Sequence, residues 1–172
     1  APRTVEADVR GHVIICHYDE VARGLIDTLA HRRVPYVVIE PDPSKAAELH
    51  RAGVQIVCGP IDARKTYEAA GFARARILLA NVDDTTNANI TLTAREIDAR
   101  VEVVATALDA DSVDVLELAG ANRAIALRRH LGEHLASRVS VGNIRSHVVG
   151  RYRDLSIAEF PIRHTLVAGM TL

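Results

Sequence analysis

The chain has 172 residues, 21 Lys and Arg against 22 Asp and Glu, and only 3% aromatic residues. This length supports one domain with a full hydrophobic core, without stabilising disulfides or metals. The balanced charge and the few aromatic rings argue against nucleic acid as a partner, and no apolar run reaches the ~20 residues of a membrane span.

Short β-branched runs alternate with helical stretches from Gly11 into the 140s. This alternation predicts an α/β fold with a doubly wound, parallel, Rossmann-type sheet of six strands. The predicted strands lie near residues 12–16, 35–40, 54–58, 76–80, 102–106 and 123–126.

The segments between these strands have the marks of amphipathic helices. Two apolar stripes are predicted to face the core, Val21, Leu25, Leu29 and Ile90, Ala94, Ile97. Glycines 53, 71 and 120 stand where helices are expected to end, because glycine adopts the left-handed conformation that follows a helix.

Two cysteines, Cys16 and Cys58, are predicted to end the first and third strands. In a doubly wound sheet one strand separates these positions, so the cysteines lie roughly 9 to 10 Å apart. That distance exceeds the reach of a disulfide. We interpret both as buried thiols that contribute to packing in a reducing compartment.

Both ends of the chain differ in pattern from the centre. Residues 1–10 are predicted to be a lead-in from a preceding segment. A helix at about 129–141 carries Leu131, Leu135 and Val139 on one apolar stripe, which is expected to pack against a neighbour. Strand-like runs at 154–160 and 165–169 predict that residues 151–172 begin a second, truncated subdomain.

The turn after the first strand departs from the dinucleotide-binding pattern G-x-G-x-x-G. His17 and Asp19 occupy the first two glycine positions, and Ala22 is an accepted replacement at the third. Asp19 is predicted to cap the following helix with its carboxylate, and Glu20 adds a second negative charge in the first turn. The anion-binding site of the helix is therefore already occupied by the chain itself.

A negative charge at this position disfavours a diphosphate. At about 5 Å and an effective dielectric of ~20 it costs roughly 3 kcal/mol, or about two powers of ten in affinity. A divalent cation such as Ca²⁺ or Mg²⁺ would turn this repulsion into attraction, because Asp19 and a phosphate can both bind the cation. His17 would suit a softer metal. Three interpretations stay open: a vestigial site, a nucleotide bound in altered form, and a cation-centred site.

Four segments together resemble the RCK family, the regulators of potassium conductance: residues 11–16, 36–42, 53–59 and 118–125. The likeness covers 11–143 as the N-terminal Rossmann subdomain, with 155–172 similar to the start of the C-terminal subdomain. It implies a regulatory domain at the cytoplasmic face of the membrane that forms homodimers and an octameric gating ring. Its partner would be the membrane pore or transporter subunit, and its ligand NAD(H), an adenine nucleotide or a divalent cation.

The resemblance also implies which residues bind a ligand. Glu40 stands at the position of the acid that holds ribose hydroxyls, and Asn81 and Val82 match the lining of the adenosine pocket. The family's Gly-Asp pair becomes Gly59-Pro60, with Asp62 as a replacement for the acid. The remaining candidates follow the first two strands: His17, Tyr18, Asp19, Glu20, Val21 and Asp42. Residues 105–107 retain neither the arginine nor the carboxylates that some relatives have there.

Two further patterns imitate metal sites. Residues 130–134 match the H-x-x-E-H pattern of inverzincin proteases, but only Glu159 remains downstream as a third ligand. Residues 81–87 have the acid density of a calcium loop without the EF-hand spacing, so Asp83 or Asp84 is predicted to cap a helix instead.

The leading hypothesis from sequence is a regulatory, non-catalytic domain that senses a ligand. One alternative is a structural dimerisation module with a vestigial pocket. The other is a fragment of an NAD-dependent oxidoreductase, which the missing glycines disfavour.

Overall fold

The computed structural model describes residues 4–139, 147–152 and 155–159, with side chains described over 4–136. Six parallel strands form one sheet in the order β3-β2-β1-β4-β5-β6. These strands are β1 (Val13–Ile15), β2 (Tyr36–Glu40), β3 (Ile56–Cys58), β4 (Ile77–Ala80), β5 (Glu102–Ala107) and β6 (Arg123–Ala126). The predicted doubly wound sheet is confirmed, because the order reverses direction at β1.

Six helices connect or follow the strands: α1 (Glu20–His31), α2 (Pro43–Arg51), α3 (Arg64–Ala69), α4 (Asp84–Ile97), α5 (Ser112–Leu118) and α6 (Leu127–Val139), with a 3-10 turn at Phe72–Arg74. The three predicted helix-end glycines have positive φ angles of 89° at Gly53, 71° at Gly71 and 107° at Gly120. This left-handed backbone is accessible to glycine without a Cβ clash, which explains its use at these positions.

The hydrophobic core lies on both faces of the sheet. One face buries Ile14, Leu78 and Phe72 against α3, α4 and α5, and the other buries Ile15, Val38 and Leu29 against α1 and α2. Strands covered on both sides are continuously apolar, as a parallel sheet requires.

Two packing predictions need correction. Val21, predicted to lie on the core stripe of α1, is 40% exposed, and Ile26 packs against the core beside Leu25 instead. The cause is helix phase, since the buried face of α1 is centred on Ala22 and Leu29. Cys58 was expected to be buried but is only partly so, while Cys16 is fully buried.

The chain divides into two compact units, residues 1–128 and 129–172. In the second unit, β7 (His147–Tyr152) pairs antiparallel with β8 (Leu155–Glu159), and the register shifts between Val148 and Gly150. β8 matches one predicted strand, whereas the predicted strand at 165–169 lies outside the described residues. The predicted helix at 129–141 corresponds to α6, on which Leu131 and Leu135 are more than half exposed.

Candidate functional site

Residues from three adjacent strands meet at the carboxyl edge of the sheet. Ile15 of β1 pairs with Val38 of β2 and with Leu79 of β4. Two residues further along each strand, the same register brings His17 level with Glu40 and with Asn81. The reversal of strand order at β1 is where ligands bind in doubly wound sheets, and three of the predicted site residues lie there.

Asp19 closes the N-terminus of α1. Its backbone is extended, with φ −129° and ψ −170°, and its Oδ1 accepts a hydrogen bond of 2.8 Å from the Ala22 N–H. This is the cap predicted from sequence. Ala22 is completely buried under the sheet, so its small side chain permits the close packing that glycine provides in the dinucleotide motif.

The neighbours of Asp19 in the turn are more accessible. Glu20 is exposed and forms an ion pair with Arg23 in the first turn of α1. Tyr18 is partly buried and packs against the core beneath α1 and α2, and Val21 is exposed. The turn therefore presents the carboxylates of Asp19 and Glu20 where a phosphate would approach the helix.

Asn81 ties this turn to the neighbouring strand. Its Nδ2 donates to the His17 carbonyl at 2.9 Å and to Asp19 Oδ1 at 3.1 Å. The residue is 3% exposed, and within the part of the chain with described side chains its Oδ1 atom has no hydrogen-bond partner. An unsatisfied buried oxygen is costly, which makes this atom a candidate acceptor for a ligand N–H or O–H group.

Glu40 is the second buried acceptor at this edge, and it is 3% exposed. Its Oε1 accepts from the Asp42 N–H at 3.2 Å, while Oε2 lies 3.1 Å from Lys45 Nζ in an ion pair without hydrogen-bond geometry. Because Lys45 makes no hydrogen bond to Oε2, this oxygen can still accept one from a ligand.

The other acids at this edge serve the local backbone. Asp42 caps α2 by accepting hydrogen bonds from Ser44 N at 2.7 Å and Lys45 N at 3.2 Å. Asp62 is exposed in the loop before α3. Asp83 caps α4 through Thr86, whose hydroxyl and N–H hydrogen bonds lower the pKa of its carboxyl group. The prediction that residues 81–87 contain a helix cap is confirmed.

Gly59 approaches α3 more closely than any other residue type could. A Cβ atom at this position would lie 2.6 Å from Thr66 Oγ1, well inside van der Waals contact. The Gly59 N–H donates to the Glu40 carbonyl at 3.3 Å, which links the ends of β2 and β3. Gly59 therefore sets the position of the loop beside Glu40.

Sequence reasoning missed Asn87, which positions the end of β4, and gave Asp84 only as a possible helix cap, whereas Asp84 holds the loop after β5. Asn87 is fully buried in α4, where its Oδ1 accepts from Val82 N at 2.9 Å and its Nδ2 donates to the Thr106 carbonyl at 2.8 Å. Asp84 accepts from the N–H groups of Leu108 at 2.7 Å and Asp109 at 3.1 Å. A buried asparagine facing the sheet interrupts the apolar stripe of α4, and that interruption was the available signal.

A metal site built by the protein alone is not found here. Among the residues that the structure describes, no group of three or more His, Cys, Asp and Glu is placed to hold a metal ion. A cation at Asp19 would thus need most of its ligands from a bound molecule or water, as Mg²⁺ commonly has.

The strand order and the edge site define the Rossmann class of nucleotide-binding α/β domains. The chain belongs to the TrkA-N domain family, whose model matches residues 13–127. The resemblance to the RCK family noted from the sequence is confirmed by the solved GsuK RCK domain, which matches with a TM-score of 0.75 and 30% identity over 92% of this chain and 35% of that chain.

Individual relatives agree with this assignment. Potassium channel protein 1 of Methanocaldococcus jannaschii is 27% identical over 120 residues, 68% of this chain and 36% of that protein. A K⁺ efflux antiporter named putative KefB, from Alkalimonas amylolytica, is 28% identical over 129 residues, 74% of this chain and 20% of that protein. The chain thus spans only a fifth to a third of these relatives.

Among solved structures, the GsuK channel bound to NAD matches with a TM-score of 0.76 and 30% identity, covering 92% of this chain and 29% of that chain. In the residues that the structure describes, no helix is both long and apolar enough to cross a bilayer.

The residues at this edge fit the adenosine part of a dinucleotide better than its diphosphate. Glu40 and Asn81 offer buried oxygens to the hydroxyl and amine donors of an adenosine moiety. The N–H group at the start of α1 that a diphosphate would use is bonded to Asp19. A diphosphate fits this edge only if Asp19 moves or a cation intervenes.

Proposed function

We propose that this chain is a regulatory, non-catalytic domain of a potassium channel or transporter, and that it responds to an adenine nucleotide bound at the carboxyl edge of β1, β2 and β4. The observation that carries the proposal is the pair of buried acceptors, Glu40 Oε2 at the end of β2 and Asn81 Oδ1 directly after β4, the two strands that flank β1. The domain acts at the cytoplasmic face of the membrane beside the pore or transporter subunit.

The chemistry of these acceptors selects the kind of ligand. Both atoms are oxygens, so the ligand must present hydrogen-bond donors to them. Ribose hydroxyls and the exocyclic amine of adenine are such donors. Two strand spacings separate the two residues, which is about 10 Å and comparable to the length of an adenosine group. The NAD-bound GsuK channel is consistent with a nucleotide at this edge.

Asp19 determines which nucleotides bind well. Its carboxylate is fixed at 2.8 Å from Ala22 N and 3.1 Å from Asn81 Nδ2, so it does not turn away freely. A ligand with its phosphates elsewhere, or with Mg²⁺ or Ca²⁺ shared between phosphate and Asp19, avoids the repulsion. We therefore infer that NAD(H) binds weakly without a cation, and that AMP or a nucleotide with a cation binds better.

Signal transmission follows from dimerisation. α6 leaves Leu131 and Leu135 more than half exposed on one stripe, and we propose that a second copy of the domain covers them. In an octameric ring built from such dimers, a ligand shifts the gate only by its difference in affinity between two assembled states. A weak site is sufficient for regulation if that difference is large.

The test is a thermal-shift panel with NAD, NADH, ATP, ADP, AMP, Ca²⁺, Mg²⁺ and Zn²⁺. It compares the parent chain with Asp19→Gly, and with Asp83→Gly as the control that loses a different helix cap. We expect AMP to stabilise the parent. We expect Asp19→Gly to bind NAD about two powers of ten more tightly, since it removes about 3 kcal/mol of repulsion.

The outcomes separate the candidate functions. If Asp19→Gly and the parent respond equally to NAD, the repulsion is absent. If no nucleotide or cation stabilises either protein, the chain is a structural dimerisation module with a vestigial pocket. Oxidation of a substrate with NAD would instead support the oxidoreductase alternative.

A further inference from the structure

The net charge is close to zero, but the charged loop residues are unevenly distributed: arginines lie at one edge of the sheet and aspartates at the other. The loops that lead into the strands are residues 4–12, 32–35, 52–55, 70–76, 98–101 and 119–122. These loops carry six arginines and three carboxylates. The arginines are Arg10, Arg32, Arg33, Arg74, Arg76 and Arg100, and the carboxylates are Glu6, Asp8 and Asp98. We call this the arginine edge.

The loops that leave the strands have the opposite composition. Residues 16–19, 41–42, 59–63, 81–83 and 108–111 carry six aspartates and no lysine or arginine. These are Asp19, Asp42, Asp62, Asp83, Asp109 and Asp111. Helix caps account for several of them, because aspartate is favoured at helix N-termini, and all N-termini lie at this edge. Arg32 is the C-cap of α1 and Arg33 follows it, so the dipole of that helix favours these two, whereas Arg10 and Arg76 stand next to no α-helix end.

Most of the arginine charge is free of internal partners. Arg100 is paired with Asp98 at 2.8 Å, and Arg74 donates to the Val9 carbonyl at 3.3 Å. The other four, Arg10, Arg32, Arg33 and Arg76, are exposed, and no ion pair or side-chain hydrogen bond holds them within residues 4–136. Glu6 and Asp8 reduce the excess at this edge without reversing it.

Arg33 has an unusual backbone conformation at this edge. Its φ angle is +56°, the left-handed region that favours glycine or asparagine, and among the described residues other than glycine it alone has a positive φ. An exposed arginine is thus kept where the backbone disfavours it. This conformation closes the C-terminus of α1, where Val34 N donates to Leu29 O at 2.9 Å, and it places the Arg33 side chain at the edge of the sheet.

We propose that the arginine edge docks on the anionic headgroups of a lipid bilayer. Six strands at about 4.8 Å spacing make the edge about 24 Å long, more than the Debye length of roughly 8 Å at physiological salt, so it meets a charged surface along a line rather than at one point. The aspartate edge is repelled by the same surface. The domain is therefore oriented with its ligand site facing away from the membrane.

The docking inference rests on the proposed function only in that this function places the domain beside a bilayer. The lead-in to β1 lies at the same edge, where Val5 N donates to Ala69 O and Gly11 N to Arg74 O, each at 2.8 Å. These bonds fix the segment before the first strand against the arginine-bearing turn before β4. Lipid contact would then act on the two segments together.

The experiment is flotation of the full chain with vesicles of phosphatidylcholine alone, or of phosphatidylcholine mixed with phosphatidylglycerol. It compares the parent with Arg32→Glu/Arg76→Glu and with a control of identical charge change away from the edge, Arg23→Glu/Lys65→Glu. We expect the parent to bind only the anionic vesicles and to be released by high salt. The edge variant should bind more than about tenfold more weakly, while the control retains binding.

Equal losses in the two double variants would overturn the proposal, because they would reflect net charge alone. So would binding to neutral vesicles, or no binding of the parent. The thermal shift of both variants with AMP is measured in parallel. If AMP raises the melting temperature normally but the parent does not bind lipid, the docking surface is refuted and nucleotide sensing stands. If AMP has no effect on melting but flotation is normal, nucleotide sensing is refuted and the docking surface stands.

Discussion

The Asn81 side-chain amide donates to Asp19 Oδ1 at 3.1 Å and so joins the end of β4 to the N-terminus of α1. The same nitrogen donates to the His17 carbonyl at 2.9 Å. One buried amide thus holds both the cap of the helix and the turn before it, at the point where the strand order reverses. This contact keeps the Asp19 carboxylate in the position where a diphosphate would otherwise bind.

We predict that Asn81→Asp destabilises the domain by about 2 to 4 kcal/mol at neutral pH. It places a buried carboxylate against Asp19 and removes both hydrogen bonds. Urea denaturation followed by circular dichroism measures the loss. In Asn81→Asp combined with Asp19→Gly, part of this stability should return, because the repulsion is gone. Strictly additive losses would show that the two side chains are not coupled.

We predict that buried His12 makes the stability of the domain dependent on pH. The ring is fully buried, its Nε2–H donates to the Ala70 carbonyl at 2.8 Å, and its Nδ1 has no partner within the described side chains. Burial lowers its pKa, the Ala70 hydrogen bond opposes that shift, and the nearby Arg74 charge adds to it.

Because the unfolded chain takes up this proton more readily than the folded one, we expect the contribution of His12 to stability to be fully present above about pH 6.5 and to be lost as the pH drops below it. We predict that His12→Gln flattens this fall, while His50→Gln, which changes an exposed histidine, leaves it unchanged. Chemical denaturation between neutral and mildly acidic pH gives the slopes. The same slope in the parent and in His12→Gln would assign the effect to other groups.

The two thiols should differ sharply in reactivity. Cys16 is fully buried, and burial raises its pKa to about 12 although the contact with Tyr67 Oη at 3.9 Å lowers it slightly. Cys58 is partly exposed. Since the thiolate is the reactive form, we predict that the native protein releases one equivalent of thionitrobenzoate rapidly from DTNB. Cys58→Ser should abolish that rapid phase and Cys16→Ser should not; rapid labelling of Cys16 would contradict the described burial.

Gly59→Ala is expected to destabilise the domain by about 1 to 3 kcal/mol, because the added Cβ would meet Thr66 Oγ1 at 2.6 Å. Thr66→Ala removes that oxygen. Adding Gly59→Ala to Thr66→Ala should therefore cost much less stability than adding it to the parent. Thermal or urea unfolding of the four proteins completes the cycle. A Gly59→Ala cost that persists undiminished in the Thr66→Ala background would point to the backbone rather than to this contact.

The sequence by itself determined the elements of this protein and the chemistry of its first turn. Six β-branched runs separated by amphipathic segments predicted a parallel doubly wound sheet, because strands covered on both faces must be apolar throughout. An aspartate before a helical run predicted the cap at Asp19, since capping depends on residues within one turn. Both predictions depend only on residues that are close together in the sequence.

Only the tertiary structure decided how distant residues meet. The amide of Asn81 is 62 residues from Asp19, and Asn87 holds a carbonyl on a neighbouring strand 19 residues away; neither pairing has a local pattern. The phase of α1, which exposes Val21, depends on how the helix sits on the sheet. The separation of arginines from aspartates likewise emerges only when parallel strands bring one end of every loop to the same edge, because charges scattered along a chain combine into a field only in space.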